Sequence, residues 1–272
     1  MSDKALPEHA RVVVIGGGII GCSVAYHLAE MGCEEVVLLE RDQLTSGTTW
    51  HAAGLMTTYG SGSETLLGIR RHSMELYKRI EEETGQQTGF KGVGFIELAA
   101  DEDRLEEYRR ITAFNRLHGT EIHELSPAEV KDLFPYAETD NICAGFYAEH
   151  DGRINPVDVT MALARGARMK GAKIFQNTPV RGVLTRNGTV TGVRTDKGEI
   201  RSEFVVNCAG MWARQLGEQN GVVIPNQAAE HYYLITEPID GMPDDLPVLE
   251  DPSVHGYFRE ETGGLMVGMF EP

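Results

Sequence analysis

The first forty residues constrain this chain more than any other stretch. Arg11-Val12-Val13-Val14-Ile15 is a short apolar run rich in β-branched residues, Gly16-Gly17-Gly18-Ile19-Ile20-Gly21 follows at once, and Ile19–Glu30 is helical in pattern. Val36-Val37-Leu38-Leu39-Glu40 then reads as a second buried strand. Strand, tight turn, helix and strand make a βαβ unit with parallel strands and a right-handed crossover. In such a unit Gly16 permits the turn, Gly18 lets backbone approach a pyrophosphate, and Gly21 lets the helix pack closely on the strand. Free N–H groups and the helix dipole favour an anion at that helix start. Glu40 ends the second strand about 20 residues on, where a carboxylate accepts hydrogen bonds from ribose hydroxyls. Arg41 serves either the adenosine end or the solvent. Spacing alone does not choose between FAD and NAD.

The 272 residues carry a formal charge of −16. That balance opposes binding to nucleic acid or an anionic membrane, both of which need clustered Lys and Arg. No run has the length of a membrane span, and Met1–Ala10 shows neither a secretory nor a transit pattern. Cys22, Cys33, Cys143 and Cys208 lack metal-ligand spacing. They read as reduced thiols of a cytoplasmic protein without a metal.

Beyond the opening unit, Thr45–Ser63 is rich in Gly, Ser and Thr and reads as a functional loop. Helices are expected over Glu64–Thr84, over Asp101–Leu117, from the capping pattern Ser126-Pro127-Ala128-Glu129 to near Pro135, and over Val157–Lys170. Strand patterns occupy Gly92–Ala99, Lys173–Phe175 and Val180–Leu184. Thr189–Asp196 with Glu199–Arg201 reads as a hairpin, and Phe204–Gly210 as a separate buried strand ending in glycine. From Pro225 onward, His231–Ile235 and Gly264–Phe270 suggest a second, antiparallel sheet. The abrupt ending at Pro272 suggests the N-terminal part of a longer protein.

Leu44-Thr45-Ser46-Gly47-Thr48-Thr49-Trp50-His51-Ala52-Ala53-Gly54-Leu55 resembles the flavin-attachment loop of the sarcosine and dimethylglycine dehydrogenase family, within the D-amino-acid-oxidase-like superfamily. The resemblance continues through Asp151-Gly152, Asn155-Pro156, Val206–Ala213 and His231-Tyr232-Tyr233, so it covers essentially the whole chain. It implies an α/β Rossmann-like FAD-binding domain of the glutathione-reductase-2 type, interleaved with an α+β antiparallel-sheet substrate domain. The expected division is 1–90 with 150–222 for FAD and 91–149 with 223–272 for substrate.

The resemblance also implies FAD bonded through its 8α-methyl carbon to His51. A neutral imidazole is a competent nucleophile near neutral pH, and the 8-methyl group is electrophilic in a quinone-methide tautomer. By residue type alone His51 reads more readily as a polar loop histidine. Ser46, Thr48 and Thr49 offer hydroxyls to phosphate or ribitol, or simply shape the turn. Ala53, Gly54 and Leu55 continue the loop. Val180 resembles the position where backbone meets adenine, Ala209 and Gly210 end a strand at the ligand edge, and Trp212 resembles a residue near the flavin, or else is core.

Amine oxidation needs the reacting carbon near flavin N5 and an unprotonated nitrogen. His231 and Tyr257 resemble the histidine and tyrosine that line the family's substrate pocket. Arg259 binds a substrate carboxylate, or forms a surface ion pair with Glu260 or Glu261. The activity implied is oxidation of a secondary or tertiary N-methyl amine such as sarcosine or dimethylglycine by hydride transfer to flavin. Electrons pass on to an electron-transfer flavoprotein or oxygen. A tetrahydrofolate-binding region is implied beyond this chain. Two rivals stand beside this reading: a non-catalytic regulatory flavoprotein of the same superfamily, and an NAD-linked dehydrogenase, which the loop ending in His51 opposes.

Overall fold

The computed structural model describes residues 5–270. The chain begins β1 (His9–Ile15), α1 (Ile19–Glu30), β2 (Val36–Leu39), β3 (Leu55–Met56), α2 (Glu64–Thr84), β4 (Phe95–Ala99) and α3 (Glu102–Leu117). It continues through β5 (His123–Leu125), α4 (Pro127–Leu133), β6 (Ala144–Ala148), β7 (Gly152–Arg153), α5 (Pro156–Met169) and β8 (Lys173–Phe175). Then come β9 (Val180–Arg186), β10 (Thr189–Thr195), β11 (Gly198–Asn207), α6 (Ala213–Glu218), β12 (Tyr233–Ile235), β13 (Val248–Asp251), β14 (Gly256–Glu261) and β15 (Gly264–Met269). Short-range signals set many of these bounds. Asp101 caps α3 by accepting from the Arg104 amide at 2.7 Å, Ser126 and Glu129 form a capping box on α4, and Asn155 with Pro156 starts α5.

Two compact units divide the chain. The first comprises Met1–Ala52, Arg79–Thr88 and Asn155–Ala229, and the second Ala53–Lys78, Gly89–Ile154 and Glu230–Pro272. Residues 53–78, placed by sequence within the nucleotide-binding segment 1–90, group with the second unit. The contacts there are long-range: Leu55 pairs with Arg153 in β7, and the Tyr59 ring packs on Phe95 and Phe146.

In the first unit a six-stranded sheet has the order β8-β2-β1-β11-β10-β9. Its first four strands are parallel, and the last three form an antiparallel meander. Helices α1 and α5 pack together, with the Tyr26 ring against Gly166, where a Cβ would stand 2.8 Å from it. The Tyr26 hydroxyl donates to Glu83 at 2.8 Å, and Glu83 also pairs with Lys170 at 2.9 Å.

One strand pattern differs from expectation. The hairpin's second arm and the strand at Phe204 form a single ten-residue strand, β11, which pairs with β10 on one side and β1 on the other. Alternation then turns Val205 into the core and leaves Phe204 57% exposed, so this strand is half-buried rather than buried.

The second unit is built on a seven-stranded sheet of order β12-β15-β14-β13-β4-β6-β5. It is antiparallel except for β13, which runs parallel to β4. The two strands lie far apart in sequence, so no hairpin dictates their direction. Alternation along β4 gives each face its own core: Phe95 and Ala99 join Tyr59, Tyr108 and Phe146, while Ile96 and Leu98 join Val130, Phe134 and Leu249.

The polar segment 45–63 is less irregular than its composition suggests. It contains a 3-10 turn over Thr48–His51 and the short strand β3. Asp151 anchors it within the second unit. This buried carboxylate accepts from the Thr58 amide and hydroxyl, both at 2.7 Å, and from the Tyr59 amide at 3.3 Å. Removing it orphans three donors, so Asp151→Ala is expected to lower stability by about 3 kcal/mol, measured by chemical denaturation.

Candidate functional site

A cavity of ≈ 500 Å³ opens in the first unit at the carboxyl ends of β1, β2 and β11. That volume falls within the range of small-molecule sites. The glycine turn forms its floor. Gly16 has φ +113, which disfavours any side chain, and a Cβ there would meet the Cys208 carbonyl oxygen at 2.3 Å. A Cβ at Gly21 would stand 1.9 Å from the Gly16 carbonyl oxygen. The turn and the first helical turn are therefore in backbone contact.

Helix α1 starts without a side-chain cap and has no acid in its first turn. Thr49 Oγ1 takes the Ile19 amide at 3.0 Å from across the loop. The remaining first-turn donors give the floor its anion-binding character.

Glu40 forms the next wall. Its Oε2 accepts from the Gly17 amide at 2.6 Å and its Oε1 from the Asp42 amide at 2.9 Å, so the carboxylate is fixed by backbone from both sides. Arg41 lays its guanidinium 3.7 Å over the Trp212 ring and also pairs with Asp42 at 3.2 Å. This cation–π contact links the end of β2 with the turn after β11.

Most of the sequence-derived cofactor residues converge here. Gly16, Gly18, Ile19, Ile20, Glu40, Arg41, Ser46, Thr48, Thr49, Val180, Ala209, Gly210 and Trp212 all line the cavity. Gly21 lies beneath it. His51 is exposed, its ring tilted 37° to that of Trp50 with centroids 3.9 Å apart. Ala53, Gly54 and Leu55 belong to the second unit, where the Ala53 carbonyl accepts from Arg259 Nε at 2.7 Å and the Gly54 carbonyl from the Ile154 amide at 2.8 Å.

Sequence reasoning missed Gln215, Leu216 and Gln219, which line the cavity alongside Trp212. Their spacing from Trp212 is that of one helical face, and this was the available signal. Gly17, the middle residue of the glycine motif, and Pro179 also line the cavity. Cys208 lines the wall too; burial raises its thiol pKa and pushes that of Cys22 up to about 12, so both behave as packing groups.

In the second unit, His231 and Tyr257 do come together. Their rings lie nearly parallel, 18° apart, with centroids separated by 6.3 Å, and Phe270 sits 5.1 Å from Tyr257. The tyrosine ring lies over Gly268, where a Cβ would meet Cζ at 1.9 Å. Burial raises the Tyr257 pKa.

Arg259 is not a surface residue. Its side chain is 5% exposed and pairs with Glu261 at 2.5 Å, while Nη1 donates to the Glu260 carbonyl and Nε to Ala53. Its fork is thus committed within the protein, and desolvation lowers its pKa. Beside it the buried Arg153 pairs with Glu260. Two further carboxyls escaped the sequence reading. Burial, then the neighbouring Glu97, push Glu250 up to about 7, and burial also raises Glu97.

A family model described as FAD dependent oxidoreductase matches residues 11–272. The chain is 40% identical to the mitochondrial sarcosine dehydrogenase of Homo sapiens, over 98% of this chain and 30% of that protein. It is 41% identical to the mitochondrial dimethylglycine dehydrogenase of Rattus norvegicus, over 97% of this chain and 31% of that protein. The mitochondrial pyruvate dehydrogenase phosphatase regulatory subunit of Mus musculus is 40% identical over 98% of this chain and 31% of its own length. The chain therefore spans less than a third of these curated relatives. Among solved structures, L-proline dehydrogenase from P. horikoshii superposes with a TM-score of 0.88 at 29% identity, covering 98% of this chain and 71% of that one.

The floor of the cavity provides the clearest test of the site. Gly21→Ala is expected to force the turn away from α1, costing about 2 kcal/mol and sharply lowering bound flavin. Denaturation and flavin content per chain measure the two effects.

Proposed function

Because the chain belongs to the FAD-dependent oxidoreductase family, we propose that it forms the nucleotide cradle and part of the substrate face of an enzyme that oxidises secondary or tertiary N-methyl amines. Sarcosine and dimethylglycine are the preferred substrates. The observation that carries this reading is the near-complete alignment of the chain with dehydrogenases named for those two amines. The cradle supports it, because its uncapped helix start, glycine floor and fixed Glu40 carboxylate match the diphosphate and ribose of a dinucleotide.

When bound, the flavin supplies the hydride acceptor. The residues of this chain do the rest of the work assigned here. The amides at the start of α1 hold the diphosphate, and Glu40 accepts from the ribose. Arg41 and Trp212 border the same cavity, and Val180 presents backbone to adenine. His51, exposed and adjacent to the cradle loop, is the proposed attachment point for the flavin. Tyr257 and His231 orient the amine and exclude water from it, with His231 the preferred acceptor of the ammonium proton. Electrons leave to an electron-transfer flavoprotein or to oxygen. The proposed compartment is the cytoplasm, supported by four free cysteines.

A regulatory flavoprotein is the second reading, favoured by the regulatory-subunit relative. One set of measurements on the full-length protein separates the two. Acid precipitation is expected to leave a yellow pellet that His51→Ala loses, and anaerobic sarcosine or dimethylglycine is expected to bleach the flavin band. Flavin released to the supernatant from the wild type would remove the covalent assignment. A flavin reduced by no N-methyl amine would favour the regulatory reading.

A further inference from the structure

The sheet of the second unit sets a row of side chains across three strands, ending over a glycine in a fourth. Glu250 stands opposite Glu97 in the parallel β13–β4 pair and opposite Tyr257 in the antiparallel β13–β14 pair, while Tyr257 stands opposite Gly268 in β15. Directly opposed residues project from the same face. The Tyr257 ring lies over Gly268, away from β13, so it does not cover Glu250. Both carboxylates remain partly accessible, and among the described residues neither forms an ion pair at contact distance.

Groups from every packed element face the pair. Arg70 comes from α2, where its Nη1 donates to the Tyr59 carbonyl at 2.5 Å. From α3, Tyr108 hydrogen-bonds to Glu97, with Arg104 and Glu107 acting on Glu97 from farther away. Tyr257 flanks Glu250 from β14, and Tyr59 lies on the Glu97 side. At Glu250 the nearby Arg70 does not offset burial and the neighbouring Glu97 charge, which push its carboxyl up to about 7; burial raises Glu97 as well, against Arg104 and Arg70.

We propose that Glu250 is a positioning residue for amine oxidation at the Tyr257 face: standing opposite Glu97 and Tyr257, it releases its own proton to water and leaves a carboxylate that favours a cationic nitrogen beside Tyr257. The inference rests on the N-methyl amine reading above. Removing hydride from the carbon next to nitrogen leaves positive charge on that nitrogen, and a nearby carboxylate stabilises it. The reaction therefore speeds up as Glu250 ionises, so the rate rises with pH through its titration.

Anaerobic flavin reduction by dimethylglycine in the full-length protein, followed from about pH 5 to about pH 9, tests this. Wild type is expected to show an acid limb centred near 7, with a rise of about tenfold. Glu250→Gln should remove the limb and stay about tenfold slower at the alkaline end. Glu250→Asp should keep it, and Glu97→Gln should move it to lower pH by removing the like charge. The substrate's own ionisation would leave the limb in place in every variant.

A protonated-carboxyl infrared band of the oxidised protein, lost through the same titration and missing from Glu250→Gln, reports the Glu250 proton without turnover. An unchanged limb in Glu250→Gln at wild-type flavin content overturns the proposal alone. Should that variant fold poorly, an unmoved midpoint in Glu97→Gln overturns it. Failure of wild type to reduce its flavin with any N-methyl amine overturns the function beneath it, and the proposal with it.

Discussion

The contact between the Gly16 carbonyl and Gly21 is the constraint on which the nucleotide cradle depends. It lets α1 begin directly above the end of β1, and so places the helix start at the sheet's edge. Because β1 lies between β2 and β11, the residues that end those neighbours, Glu40 on one side and Cys208 to Gly210 on the other, arrive at the same place. A bulkier turn would separate these three walls. The other features of the cavity, including the Thr49 hydroxyl on the Ile19 amide and the Arg41–Trp212 stack, are details added to that arrangement.

Much of this was legible because the signals are local. Helices α1 and α2 begin and end where the sequence pattern places them, and the caps of α3, α4 and α5 are formed by Asp101, Ser126 and Asn155. The glycine turn and Glu40 also carry their meaning in short spacing. What escaped depends on partners distant in sequence. The continuity of β11 follows from having β1 and β10 on either side, and the parallel β13–β4 pairing joins segments that no turn connects. The burial of Arg259 could not be read from its acidic neighbours, since the same run of charges suits a solvated strand. Glu97 lay in an expected strand and Glu250 in a stretch whose pattern suggested no element; only register places them side by side.

The two units also use polar groups in opposite ways. In the first, carboxylate and hydroxyl groups such as Glu40 and Thr49 are held by backbone amides at the mouth of a cavity. In the second, charges are drawn into a sheet face and compensated there, as Arg153 and Arg259 are by Glu260 and Glu261, or left partly compensated, as at Glu250. Full compensation gives rigidity, whereas partial compensation gives a group whose charge responds to its surroundings.

The double pairing of β11 also governs how the chain is built. The glycine turn is made within the first forty residues, yet its third wall waits for Cys208, Ala209 and Gly210, which reach the sheet only when β11 docks along β1. A ribosome has therefore released everything up to Gly210 before the cradle has a complete rim. Pairing across so long a separation is slow, since the loop entropy must be overcome before the strand contacts repay it. The antiparallel meander β9-β10-β11 offers a nearby route, because its strands pair with their immediate neighbours in sequence and can deliver β11 already formed to the waiting edge of β1.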